Sequence, residues 1–158
     1  MIILGIDPGT AIVGYALIKK EGRQLEALAY GCIRTKANLK DEERLLGIEK
    51  ELKKIIERFK PQESAVEKLF FFKNLKTVMV VSQARGVILA TLAKAGLPIF
   101  EYTPLQAKSA VAGYGKAPKI QVQKMVKSLL NLVDLPRPDD AADALAIAIC
   151  HANQRRLA

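Results

Sequence analysis

Four acids stand where carboxylates are uncommon. Asp7 ends the apolar run Ile2-Ile3-Leu4-Gly5-Ile6 and is followed at once by Pro8-Gly9-Thr10, and Glu67 ends a second short run, Ser64-Ala65-Val66. Asp140 and Asp143 open a stretch that continues to Cys150 in almost nothing but small and apolar residues. A carboxylate at the end of an apolar strand is costly to desolvate, so it survives there by accepting hydrogen bonds or by holding a cation. For Asp7 alone the two readings balance, because Asp-Pro-Gly is also ordinary turn chemistry in which the acid caps its own turn. At the helix start, Asp140 and Asp143 are three apart and share a face, while Asp139 stands where an N-cap belongs. Capping and dipole complementation account for one acid there and less readily for three. If the acids converge, each pair about 4 Å apart repels by roughly 4 kcal/mol at an effective dielectric of 20, and cations must offset that repulsion. Oxygen ligands without His or Cys select Mg²⁺, with Mn²⁺ as substitute, over zinc. Two such ions about 4 Å apart clamp the attacking water and the leaving oxygen of an in-line phosphodiester displacement.

The surrounding residues suit a nucleic acid. Twenty-five Lys and Arg against 16 Asp and Glu leave a formal charge of +9, which favours polyanionic partners. Glu67 runs directly into Lys68-Leu69-Phe70-Phe71-Phe72-Lys73. Three adjacent rings cannot all face one core, so one is expected to project beside the acids, where stacking on an unpaired base is worth about 1 to 3 kcal/mol. The other two rings staple the segment to the core. Lys108, Lys116 and Lys119 flank Gly113 to Pro118, expected to be a flexible loop, and either hold phosphates or are simply solvated.

The elements that must position these groups follow from periodicity and punctuation. An apolar strand to Asp7, a second from Ile12 to Ile18 and a third from about Gln24 to Arg34, joined by turns at Pro8-Gly9 and Glu21-Gly22-Arg23, open the chain. Asp41 to Phe59 is an amphipathic helix with acids first and bases last, stopped by Pro61, before the strand Ser64 to Glu67. Asn74 to Ala95 is a long helix whose apolar residues cover most of its circumference; it is expected to form a homodimer face, the other reading being a central helix under a loop. Ile99 to Tyr102 is a fifth strand and Pro104 opens the next helix. Lys119 to Leu130 follows, with Val122, Met125, Val126, Leu129 and Leu130 expected inside, and Asp139 to Gln154 ends the chain as a buried helix. The pattern predicts an α/β fold with a five-stranded mixed sheet flanked by helices.

With 158 residues one domain, 1–158, is expected. No run approaches the twenty or so apolar residues of a membrane span, and the N-terminus lacks the features of a secretion signal, so a cytoplasmic protein is expected. Cys32 and Cys150 lie in apolar segments without metal-ligand spacing and read as buried free thiols.

Taken together, Gly5-Ile6-Asp7-Pro8-Gly9-Thr10, Val66-Glu67-Lys68, Gln83-Ala84-Arg85-Gly86, Glu101-Tyr102, the stretch 108–126 and Asp140-Ala141-Ala142-Asp143-Ala144-Leu145-Ala146-Ile147-Ala148 resemble the RuvC family of bacterial Holliday-junction resolvases over essentially the whole chain. The resemblance implies an RNase H-like fold and a crossover junction endodeoxyribonuclease, with Asp7, Glu67, Asp140 and Asp143 as catalytic metal ligands, two ions to a site. It also implies Phe70 as the base-stacking aromatic, Lys108 and Lys119 as DNA contacts, and a homodimer that nicks opposing strands symmetrically at a short T-containing sequence. The implied partners are the four-way junction and the RuvA–RuvB branch-migration complex. Some relatives carry His where this chain has Asp140; His151, two turns beyond the acids, does not replace it. Other readings of the same motifs are a YqgF-type RNase H-fold nuclease, a junction-binding protein whose acids are structural, and an actin- or hexokinase-like ATPase. The last shares the strand-Asp-x-Gly-Thr hairpin, but one short domain lacks its second lobe.

Overall fold

A computed structural model describes residues 1–69 and 75–155. The elements are β1 (Ile2–Asp7), β2 (Ile12–Glu21), β3 (Gln24–Arg34), α1 (Asp41–Phe59), β4 (Glu63–Glu67), α2 (Leu75–Lys94), β5 (Ile99–Tyr102), α3 (Pro104–Ala112), α4 (Lys119–Leu129) and α5 (Asp139–Gln154). The strands form a five-stranded sheet in the order β3-β2-β1-β4-β5. β1, β2 and β3 pair antiparallel, whereas β4 joins β1, and β5 joins β4, in parallel. The mixed α/β sheet expected from the sequence is therefore present. No helix among the described residues is long and apolar enough to cross a membrane.

The sheet's alternation of side chains decides everything near the site. Leu4, Ile6, Val13, Leu17, Ile33 and Val66 pack against Ile48 and Leu52 of α1 and Ala84, Ile88 and Leu92 of α2. The other parity, Ile3, Ala16, Ile18, Ala65 and Tyr102, packs under α3, α4 and α5. Asp7 and Glu67 have the parity of Ile3 and Ala65, so both point to the face that α5 covers.

Several expectations about the helices change. Met125 and Leu129 are exposed, because α4 lies at the margin of the core and buries only the narrow stripe Val122, Val126 and Leu130. The outward face of α2 is likewise narrower in bulky apolar residues than its composition suggests: Met79 is 71% exposed, but Gly86, Ala90 and Ala93 continue the exposed line as small residues. The segment Gly113 to Pro118 is not an open loop. Gly113 caps α3 at φ 86°, the Tyr114 hydroxyl donates to Gln121 Oε1 at 2.5 Å, and Ala117 is buried. A Cβ on Gly115 would meet Leu105 Cγ at 2.4 Å, so the turn lies against that side chain. Cys150 is a buried free thiol as expected, whereas Cys32 is only half-buried.

Candidate active site

The acids reach one end of the sheet by three routes. β1 and β4 are parallel neighbours with Ile6 opposite Val66, so Asp7 and Glu67 emerge together at their C-terminal ends. α5 starts at the same end and lies directly on the sheet because glycines give it room. A Cβ on Gly14 would meet the Asp140 carbonyl oxygen at 2.0 Å, and one on Gly5 would meet the Ala144 carbonyl oxygen at 2.3 Å. Helix backbone thus touches strand backbone, which brings Asp140 and Asp143 down to the strand ends.

The far end of α5 sets how far along the sheet it sits. His151, 1% exposed, lies between the Tyr102 hydroxyl at 2.8 Å from Nδ1 and Glu63 Oε2 at 2.7 Å from Nε2, with Phe100 against the ring at 4.5 Å between centroids. A carboxylate only accepts, so Nε2–H donates to Glu63 and Nδ1 accepts from Tyr102. Burial, ahead of any charge, lowers the imidazole pKa and keeps it neutral. Arg155 completes the group with an ion pair to Glu63, whose carboxyl is held below the usual carboxylate range chiefly by that contact. From His151 back to Asp143 is about 12 Å of helix, and from Glu63 up to Glu67 about 13 Å of strand. Anchoring one end therefore brings Asp143 level with Glu67 at the other. His151 is a structural anchor and takes no part among the acids, as the sequence indicates.

Electrostatics shows which acids meet. Asp7 and Glu67 share a hydrogen bond, and the Asp7 carboxyl is pushed up to about 9, first by burial and then by the charges of Glu67, Asp143 and Asp140. Glu67 is also raised, by burial first; the bond from Asp7 lowers it and Asp143 raises it. Asp143 is raised by burial, with Lys119 and Lys108 opposing. Both lysines therefore act electrostatically on the acids. Lys119 Nζ stands 3.7 Å from Asp139 Oδ2, and Asp139 also accepts a hydrogen bond from Gln123 at 2.8 Å. Asp139 is not the N-cap: Pro138 holds that position, and Asp139, exposed in the first turn, orients Lys119 instead. Phe70, with Phe71 and Phe72, lies outside the described residues.

The fit to divalent cations can be judged from the donors. Among the described residues no three His, Cys, Asp or Glu side chains are already arranged to hold a metal ion. What the site does hold is an all-oxygen set of carboxylates crowded enough to keep a proton on Asp7 well above the ordinary range. Replacing that proton with a hard dication would relieve both burial and repulsion, so the donor chemistry fits Mg²⁺ or Mn²⁺.

Some residues near the acids play structural roles that the sequence reading did not assign. Gly5 and Gly14 carry a recognisable signal, a glycine inside an apolar strand, which marks close backbone approach. Cys32 has none; it pairs with Gly14 across the sheet, near enough for Asp140 to help raise its thiol above the usual value after burial. Arg85 on α2 forms an ion pair with Glu101 of β5, and its Nε donates to the Glu67 carbonyl at 3.5 Å, tying α2 to the strand that carries Glu67.

Residues 3–151 match the family described as crossover junction endodeoxyribonuclease RuvC. The crossover junction endodeoxyribonuclease RuvC of Halothermothrix orenii is 58% identical over 157 residues, covering 99% of this chain and 95% of its own. The Thermus thermophilus RuvC structure superposes with a TM-score of 0.91 at 36% identity, over 99% of this chain and 96% of that one. A structure of T. thermophilus RuvC in complex with Holliday junction substrate gives the same score at 34% identity and the same coverage.

Proposed function

The chain belongs to the RuvC family and is a crossover junction endodeoxyribonuclease with an RNase H-like fold, and from that premise we propose that it resolves four-way DNA junctions by metal-dependent, paired symmetric nicks. The observation that carries the mechanism is the convergence of Asp7, Glu67, Asp143 and Asp140 at one sheet end, with Lys108 and Lys119 acting on them from α3 and α4. Junction binding by the T. thermophilus relative supports the substrate.

In this reading Asp7, Glu67, Asp140 and Asp143 would hold two Mg²⁺ ions, which would supply activation of a water and charge neutralisation at the leaving 3′ oxygen. Asp7 must give up its proton to act as a ligand. Asp143 and Asp140 come from α5, whose start is seated on the sheet where Gly14 meets the Asp140 backbone. Lys108 and Lys119 hold flanking phosphates, and Asp139 keeps Lys119 within reach. Phe70 is assigned to base stacking at the crossover. Two copies pair through the outer face of α2, where Gly86, Ala90 and Ala93 permit close helix approach, so that two sites cut opposing strands. Action with RuvA–RuvB in recombination and repair, in the cytoplasm and as one domain over 1–158, completes the proposal.

The test is to incubate the protein with a synthetic four-way junction and with linear duplex, each with Mg²⁺ and with EDTA. Mg²⁺-dependent paired nicks near the crossover, with duplex uncut, are expected. Equal cutting of duplex would overturn the resolvase reading, and tight junction binding without cleavage would favour a structural role for the acids.

A further inference from the structure

Beside the acids, at the end of the sheet where α1 and α2 meet the start of α5, lies a cavity of about 550 Å³ bordered by Thr10, Ile12, Arg44, Val80, Val81 and Asp140. Its polar groups are poised rather than satisfied. Arg44 Nε donates to Thr35 Oγ1 at 2.9 Å, and that hydroxyl donates to the Thr10 carbonyl at 2.7 Å. This fixes the guanidinium against the turn that follows Asp7 and leaves its Nη edge without a carboxylate partner among the described residues. Arg85 and Arg155, by contrast, are both consumed in ion pairs. Thr10 is 9% exposed, and its Oγ1 is the one buried side-chain polar atom among the described residues with no hydrogen-bond partner. That hydroxyl is closed off from solvent in its present rotamer. Nothing polar holds it there, and to serve as a donor in the cavity it would have to turn about χ1.

We propose that this cavity is a subsite for one non-scissile backbone phosphate and its deoxyribose on the strand being cut, with Arg44 and Thr10 as its donors. The inference rests on the junction-nuclease reading above. A planar guanidinium already oriented through Nε presents its remaining N–H groups to two phosphate oxygens at small entropic loss. Ile12, Val80 and Val81 give the sugar an apolar wall. Asp140 faces the same space and repels an anion, so the phosphate is held on Arg44 and not toward the acids. The turn that delivers Asp7 also delivers Thr10 three residues later, which ties the position of this phosphate to that of the bond being broken.

The experiment uses synthetic four-way junctions carrying one neutral methylphosphonate at each position within three nucleotides of the cut. Cleavage is measured with wild type, Arg44→Gln, Arg44→Lys and Thr10→Val, all checked for wild-type melting. Wild type is expected to lose about tenfold in rate at one non-scissile position. Arg44→Gln should be about tenfold slower on the unmodified junction and lose nothing further at that one position, while responding like wild type at the others. Thr10→Val, which keeps side-chain shape, should show a smaller loss at the same position, and Arg44→Lys should be intermediate. If Arg44→Gln and Thr10→Val both respond to every methylphosphonate as wild type does, Arg44 only braces the Thr35 corner and the subsite is refuted. Failure of wild type to cut the unmodified junction in Mg²⁺ would instead overturn the parent reading, and the subsite with it.

Discussion

Replacing Asp7 with Asn should stabilise the metal-free protein while abolishing its cleavage. The Asp7 carboxyl sits at about 9 in the folded chain against an ordinary 3.8, so the native state binds this proton more tightly than the unfolded state does. Below about pH 4 both states hold the proton and no penalty exists. As pH rises toward 9 the unfolded chain releases it first, and native stability falls throughout that interval. At pH 7 the gap from the ordinary value is about three units, each worth about 1.4 kcal/mol, giving a ceiling of about 4 kcal/mol. Asn cannot ionise, and its amide can donate to Glu67 as the protonated carboxyl does, so it escapes this penalty. With relaxation the gain should be about 2 to 4 kcal/mol, or about 5 to 15 °C in Tm for a chain of this size. Thermal melts of wild type and Asp7→Asn in EDTA at pH 5, 7 and 9 test this, and the difference should widen with pH. Adding Mg²⁺ should then raise the wild-type Tm and leave Asp7→Asn nearly unmoved. An Asn variant that melts at or below wild type in EDTA at every pH would refute the reasoning and return Asp7 to a simple turn cap.

Gly14→Ala should cost cleavage more than binding, because its Cβ would press on the Asp140 carbonyl at 2.0 Å and lift the start of α5 off the sheet; rates on a saturating junction should fall at least tenfold while the junction Kd changes little. Lys119→Ala should weaken junction binding and reduce the slope of log K against log salt by about one, as removal of one phosphate contact requires; an unchanged slope in a salt titration would dismiss that contact. Gly86→Glu places a charge on the exposed line of α2, where nothing lies within 4 Å of a Cβ, so the fold should tolerate it while the dimer dissociates. Sedimentation should then give a monomer and single in place of paired nicks; a wild type already monomeric at micromolar concentration would remove the dimer proposal.

The element bounds were legible because this chain punctuates itself: β3 and α1 run between the residues that alternation, terminal charge and Pro61 suggest. The acids were legible for a related reason, since a charge at the end of an apolar run stands out in one dimension. Burial at the margins was not, as Met125 and Leu129 show, because periodicity says which side of a helix is apolar but not how wide a partner it meets. The N-cap of α5 was misassigned because Asp139 has the right chemistry, while Pro138 takes the position and frees Asp139 to hold Lys119. Least legible was the length matching between α5 and β4. Glu63 and Glu67 share strand parity, and His151 lies eight residues beyond Asp143, yet nothing in either pattern says that the two spans are laid side by side. Only their apposition makes the roughly 13 Å of strand and the roughly 12 Å of helix a single ruler. Changing Glu63 or His151 therefore disturbs the alignment of Asp143 with Glu67 from the opposite end of the sheet, a coupling carried by two rigid elements and one buried hydrogen-bonded anchor.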